Sequence, residues 1–582
     1  MTITEYEPAE SVHELMAPEV YQRLPKNILT DGFSSGDHKV IGRVWMLGAV
    51  LFGLFTLVAD ILVRLERIDT DSVAIFSNAF AYEQWFTLQR VSLVFLFVVP
   101  MLIGIAMTMV PLQIGAPSLA FPRAAAAALW TWMVSGVIMV VSWAIDGGLI
   151  DRGVDVINQP TQLSMVSLAG VVLSIIVAAM VIVTTIFTER SQGMSLYNVP
   201  LFTWSMLVAG GIWLLSLPVL MANLIVMWVD ARGDAFHSFG GDELFHQISW
   251  AFDQPQVFAY AIPVLGLMGE VVPVAFRRRL KTYDAAMIAI GFFGAISFGA
   301  YAQTFFNPGA STSWLYVLGA VALILPILVL VGACAMTAKA AARGPQFSAH
   351  LALAGMALVA LLTAGAVATI RVADSLLAPI FSWLHDVTEF IGLNWGWLGD
   401  FADWMRDSFD EVAESSLSGA MVQLTLMAGL LAAIAGLFYW APKILGERLP
   451  TGLGVVAGLT MLGGAVISAV PDAISGFLDQ PAFVAAAPQR DLVEVLNLIS
   501  FVGSLLVFAG LGAVLAAVAV GLVFGTTDDE DIDDNDPWGG HTLEWLTSSP
   551  PEPGNFAGPL VVTSEAPLLD DDFENPYAEV AQ

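Results

Sequence analysis

Residues 87–113 read TLQRVSLVFLFVVPMLIGIAMTMVPLQ. After Arg90 the stretch runs to Leu112 without a charged side chain. As a helix it is long enough to cross the hydrocarbon core of a bilayer, which takes roughly 20 residues. Eleven comparable runs lie near 41–63, 125–146, 163–187, 200–229, 249–275, 282–306, 314–338, 350–371, 416–440, 452–474 and 495–524. A backbone in lipid must satisfy its own polar groups, so each run is predicted to be a helix. The expected fold class is all-α, a polytopic membrane protein built as a twelve-helix bundle.

Composition agrees. Of 582 residues 57% are hydrophobic and only 13% charged, against roughly 25% charged in a soluble domain. The first ~40 residues are polar and show no secretory signal pattern. Cys334 is the only cysteine, which excludes a disulfide framework and a cysteine-ligated metal. Basic residues gather after the even-numbered runs: Arg123, Arg190, Arg277 to Arg279 with Lys281, Lys339, Arg343, Lys443 and Arg448. The opposite loops are acidic, so both termini are expected in the cytoplasm. The domain reading is a 1–40 N-terminal segment, a 41–524 membrane domain with an extracytoplasmic insert at 375–413, and a 525–582 acidic tail. A net charge of −30 points away from nucleic acid. It suggests a surface adapted to high salt, where screening suppresses self-repulsion. The expected source is a halophilic archaeon, and the expected location an archaeal or bacterial plasma membrane.

Six collinear stretches narrow the reading: DHKVIGRVW from Asp37, VVPMLIGIAMTMVPLQIGAPSLAFPR from Val98, VTTIFTERSQGMSLYNVPLFTWSMLVAGGIWLLSLPVL from Val183, GLFYWAPKILG from Gly436, NLISFVGSLL from Asn497 and DPWGGHTLEWLTSSPPEPGNF from Asp536. Together they resemble subunit I of the heme–copper respiratory oxidases over about residues 35–560. The resemblance implies a twelve-helix bundle, oxygen reduction with proton pumping, and two hemes and a copper held by six histidines. A neutral imidazole suits both metals.

Against that pattern the ligand positions depart. The low-spin heme histidine eleven residues before Pro100 is Gln89. The His-Pro-Glu-Val-Tyr motif reads Gln254, Pro255, Gln256, Val257, Phe258. The paired copper histidines fall on Gln303 and Thr304, and the two histidines of the tenth run on Ala420 and Val422. The aspartate at one proton path is Ser118, the lysine of the other falls near Leu330, and QPAFVAAAPQR (480–490) holds no arginine pair in register. Seven histidines exist, His13, His38, His237, His246, His350, His385 and His541, and none pair at mid-membrane spacing. The sequence therefore predicts no catalytic residues, no metal and no cofactor. Gln254, Gln256, Gln303 and Thr304 are expected to form an amide–hydroxyl network tying the sixth and seventh helices. Phe258, Phe305, Phe306, Trp130 and Trp204 are candidates to fill the heme volume.

The 375–413 insert alternates aromatics with acids, and the spacing of Phe381, Leu384, Phe390, Trp395, Trp397 and Trp404 suggests one or two amphipathic helices. They would form a lid or dock an extracytoplasmic partner. The expected function is a non-catalytic structural or assembly subunit of a respiratory complex. Its expected partners are membrane lipids and other oxidase-type subunits, either subunit II/III-like or a second subunit I. Two alternatives stand beside it, an active terminal oxidase with unrecognised ligands and a transporter using the vacated heme space.

Overall fold

Asn78 begins the second spanning helix well before its apolar run, because its side chain accepts from the Ala81 N–H at 2.9 Å and caps the first turn. Asp37 does the same for the first helix through Lys39 N, also 2.9 Å. The computed structural model describes residues 35–69, 75–149, 159–232, 245–303, 314–391, 393, 395–409, 415–481, 491–525, 535–556, 558 and 560–570. Nine spans lead the chain: α1 His38–Glu66, α2 Ala79–Gln113, α3 Pro122–Ala144, α4 Gln159–Thr188, α5 Leu201–Asp230, α6 Gln256–Phe276, α7 Tyr283–Ala302, α8 Trp314–Ala340 and α9 Ala349–Arg371. The insert supplies α10 Ala373–Phe390 and α11 Gly396–Phe409. Three more spans follow: α12 Ser416–Tyr439, α13 Thr451–Gly476 and α14 Asp491–Phe524. The twelve spans are present, and among the described residues the only non-helical pairings are two isolated bridges.

Burial sorts the spans. Helices α2, α6 and α12 are almost wholly enclosed and the others surround them. The outer faces carry Leu47, Val137, Leu173, Leu215, Leu328 and Leu459, all exposed and apolar, as a lipid-facing belt requires. Inside α2, Leu93–Val98 winds as a π-helix, with Val99 N donating to Val94 O. The widening falls just before Pro100, whose ring would clash with the carbonyl four residues back.

A close helix contact joins α13 and α14. A Cβ on Gly503 would sit 2.6 Å from both Gly464 O and Ser468 N, and one on Gly464 would sit 2.6 Å from Gly503 O. Backbone atoms cannot rotate out of the way, so only glycine permits this approach. Gly503→Leu should force the pair apart and lower stability by about 1–3 kcal/mol or more. Thermal unfolding in detergent measures this, and an unchanged midpoint would refute the close packing.

Described residues 535–570 form a strap across the end of the bundle where α1 begins, here called the tail end. Trp538 Nε1 donates to Tyr439 O at 3.0 Å, Asn555 Nδ2 to Ala116 O at 2.8 Å, and Val562 N to Gln192 O at 2.9 Å. Part of the acidic run, 526–534, lies outside the described residues.

At the opposite, insert end, α10 and α11 make a hairpin. It closes on Ala378, Ala402 and Met405, with Phe381 and Phe401 edge to face at 4.7 Å. Trp383, Phe390, Trp395, Trp397 and Trp404 stay exposed. Residues 410–413 of the expected insert fall outside the described set.

Candidate functional site

Charged residues inside apolar helices mark a site, because they are costly unless paired. Near the insert end Asp60 and Arg64 lie one turn apart on α1, Gln89 and Arg90 on α2, Gln423 on α12, Asp472 on α13 and Ser500 on α14. Gln89 sits about 15 Å along α2 from its start, at 1.5 Å per residue. Arg64 is the hub. Its Nε donates to Asp60 at 3.2 Å, Nη1 to Asp472 at 2.8 Å, and Nη2 to Gln423 Oε1 at 2.8 Å. A further bond runs from Nη1 to Ser500 Oγ. One guanidinium thus ties four helices. Gln89 Nε2 extends the network to Asp60 at 3.3 Å. Beside it, Arg371 at the end of α9 holds both oxygens of Asp253, at 2.8 and 3.1 Å.

Asp60, Arg64, Gln89, Arg90, Gln423 and Asp472 wall a cavity of about 50 Å³. Gln89 and Val422 both face it. A smaller void of about 20 Å³ continues inward past Leu57, Leu426 and Leu430. Ala420 is buried in α12.

The two glutamines flanking Pro255 divide. Gln256 is fully satisfied: Nε2 donates to Ser216 Oγ at 2.9 Å on α5, and Oε1 accepts from Gly299 N at 2.9 Å on α7. Gln254 is buried with neither amide atom bonded, and Gln303 Oε1 is also unbonded. The network expected among Gln254, Gln256, Gln303 and Thr304 is therefore replaced, among the described residues, by Gln256 bonding to α5 and to the α7 backbone. The extended backbone at Gln303 ends the helical stretch there, so its side chain does not follow the helical spacing assumed for it. Thr304, Phe305 and Phe306 lie outside the described residues. Phe258 is buried edge to face with Phe293 at 6.3 Å. Trp204 Nε1 donates to Met287 O at 3.0 Å, and Ser118 Oγ to Leu119 O at 3.0 Å.

A second polar centre lies under the strap. Gln113 Nε2 donates to Glu270 Oε1 and to Glu544 Oε1, both at 3.2 Å, and Gln113 Oε1 accepts from Thr203 at 2.7 Å. Trp440 Nε1 also donates to Glu544 Oε1, at 3.1 Å, while Thr542 Oγ1 donates to Glu270. Burial, foremost, raises the carboxyl pKa of Glu544. Burial, helped by the Arg279 charge, pushes the nearby His541 down to about 4 and keeps it neutral. Neither Asp60, Arg90 and Asp472 nor Glu270 and Glu544 enter the sequence reading as site residues. Charges within apolar runs were the available signal.

The histidines do not converge. His38 packs against Met107 O at 3.1 Å and Asn555, and His350 lies between the Tyr439 and Trp538 rings. His385 Nδ1 meets Trp395 O at 3.4 Å. His13 and His237 are outside the described residues. Among the described residues no three His, Cys, Asp or Glu side chains group to hold a metal.

Twelve apolar helices with a buried ion-pair site define a polytopic membrane protein. The model of the family "Cytochrome C and Quinol oxidase polypeptide I" matches residues 40–381, and the chain belongs to that family. A Streptomyces coelicolor protein, provisionally named cytochrome c oxidase subunit 1-beta, is 29% identical over 92% of this chain and 89% of its own length. Cytochrome c oxidase subunit 1 of Corynebacterium glutamicum is 26% identical over 92% and 87%, and that of Bacillus subtilis 25% over 92% and 82%. These relatives are bacterial and lend no support to an archaeal source.

Membership corrects one expectation. The sequence reading expects no cofactor, whereas homologues of this family normally bind heme and copper. The side chains at the expected ligand positions do not fit those groups. Gln89 is committed to Asp60, Gln254 and Gln303 offer amides, and Ala420 and Val422 offer no donor atom.

Proposed function

We propose that this chain serves as a structural or assembly subunit of a respiratory membrane complex. Its orientation would place both termini in the cytoplasm and the α10–α11 hairpin outside. The observation that carries this reading is the use made of two positions where the family pattern calls for histidine or glutamate. Gln89 is bonded to Asp60 in the Arg64 cluster, and Gln256 bridges α5 and α7. Both side chains act as helix ties, and amides do not titrate near neutral pH. The retained strap supports the reading, since it docks at the tail end while Gln89 and Val422 line the cavity near the insert end. A second reading, an active oxidase using other ligands, is favoured by the names of the bacterial relatives.

Affinity purification of the tagged chain from mild detergent separates the two. The proposal expects other oxidase-type subunits to co-isolate and their membrane levels to fall when this chain is deleted. Oxygen uptake by the isolated chain, driven by a reduced electron donor, would overturn it.

A further inference from the structure

The 50 Å³ cavity near the insert end has more positive charge than its own carboxylates answer. Asp60, Arg64, Arg67, Gln89, Arg90 and Asp472 line it, three guanidiniums against two carboxylates. The carboxylates are already engaged. Asp472 takes Arg64 on one oxygen and Ser500 at 2.8 Å on the other, and Asp60 takes Arg64 and Gln89.

Arg67 is left with Nε and Nη2 buried and without a hydrogen-bond partner. Arg90 makes no hydrogen bond among the described residues and only stacks over the Phe86 ring at 5.4 Å. Both residues are more than nine-tenths buried. Among the described residues, two nearby carboxylates make no hydrogen bond to them. Asp253 has both oxygens held by Arg371, and Glu66, outside the cavity wall, accepts from Ile75 and Phe76 N–H.

A buried guanidinium without an acceptor is unfavourable. Its planar fork fits a planar or tetrahedral oxyanion, which it can bind through two N–H groups. We infer that this cavity is a binding site for one small monovalent oxyanion, held by Arg67 and Arg90. The size agrees, since about 50 Å³ holds on the order of three or four waters. The inward void is only about 20 Å³, too small for an acyl chain to follow the ion inward. The inference is independent of whether the chain is catalytic.

The test uses the purified full chain in detergent, with sodium MES as a bulky-anion baseline at constant ionic strength. Sodium nitrate is the first probe, inorganic phosphate at pH 6 the second, and phosphatidylglycerol the third. The expected result is a saturable rise in Tm with nitrate and with phosphate. Arg67→Gln and Arg90→Gln should each weaken the apparent affinity roughly tenfold or more, with Arg90→Lys in between. Arg277→Gln, exposed at the tail end, should leave it unchanged. Folding of each variant is checked by its Tm in MES alone. If either glutamine variant fails to fold, nitrate titration of Arg90→Lys decides. Absence of a shift above baseline, or a shift that persists in Arg67→Gln and Arg90→Gln, would overturn the site. A shift given by phosphatidylglycerol alone would also overturn it, because the ligand would then be a lipid headgroup.

Discussion

Arg64→Leu should destabilise the bundle by about 3–5 kcal/mol, the scale expected when one partner of a buried ion pair is removed. The loss is large because Asp60 and Asp472 would remain, their side chains only 15% and 5% exposed, with no other cation bonded to them among the described residues. Gln423 and Ser500 would lose the same partner, so α1 would lose the bonds this guanidinium makes to α12, α13 and α14. Arg64→Lys should fall between, since one ammonium cannot reach acceptors arranged around a fork. The decisive comparison is Arg64→Met combined with Asp60→Asn and Asp472→Asn. Removing the stranded charges as well should recover most of the lost midpoint in a detergent melt. If the single variant melts like the parent, or the triple variant is no better than the single, the cluster does not hold the bundle.

That cluster also shows where sequence reading succeeds and where it stops. The twelve spans are legible because uninterrupted apolar runs of bilayer length have few other solutions in lipid. The hairpin is legible from aromatic spacing, although spacing alone does not show that Phe381 turns inward to Phe401 while Trp383 and Trp397 stay exposed. At Gln89 and Gln256 the sequence reveals the change of residue but not its partners. Those partners lie 29 residues away for Gln89 and 40 and 43 for Gln256, and nothing local specifies them. Asp472 and Arg64 are 408 residues apart. Only the packing of α1 against α13 and α14 turns two isolated intramembrane charges into a pair. The cofactor expectation failed for a different reason. It rests on single ligand and proton-path positions, whereas membership rests on the whole matched region from 40 to 381.

Docking of the strap should weaken as pH rises above the ordinary glutamate range, and Glu544→Gln should remove most of that dependence. The sign follows from burial. Glu544 is fully enclosed when the strap is docked, which raises its pKa above that of the free strap. The docked state therefore binds the extra proton. Its advantage is complete below the free-strap pKa and is lost progressively as pH climbs through the docked value. Glu270 lies across Gln113 from Glu544, and Gln113 Nε2 donates to both carboxyls. Glutamine at 544 stays neutral and still offers an oxygen to Trp440 Nε1. Leucine offers none. It leaves Trp440 Nε1 without its acceptor and Gln113 with one fewer, at about 1–3 kcal/mol for each buried donor stranded. Protease protection of the strap across pH 5 to 9 reads all three proteins. The parent should lose protection toward high pH, Glu544→Gln should stay protected and nearly flat, and Glu544→Leu should be cleaved throughout. A glutamine variant with the parent's slope would place the titrating group elsewhere and refute the assignment to Glu544.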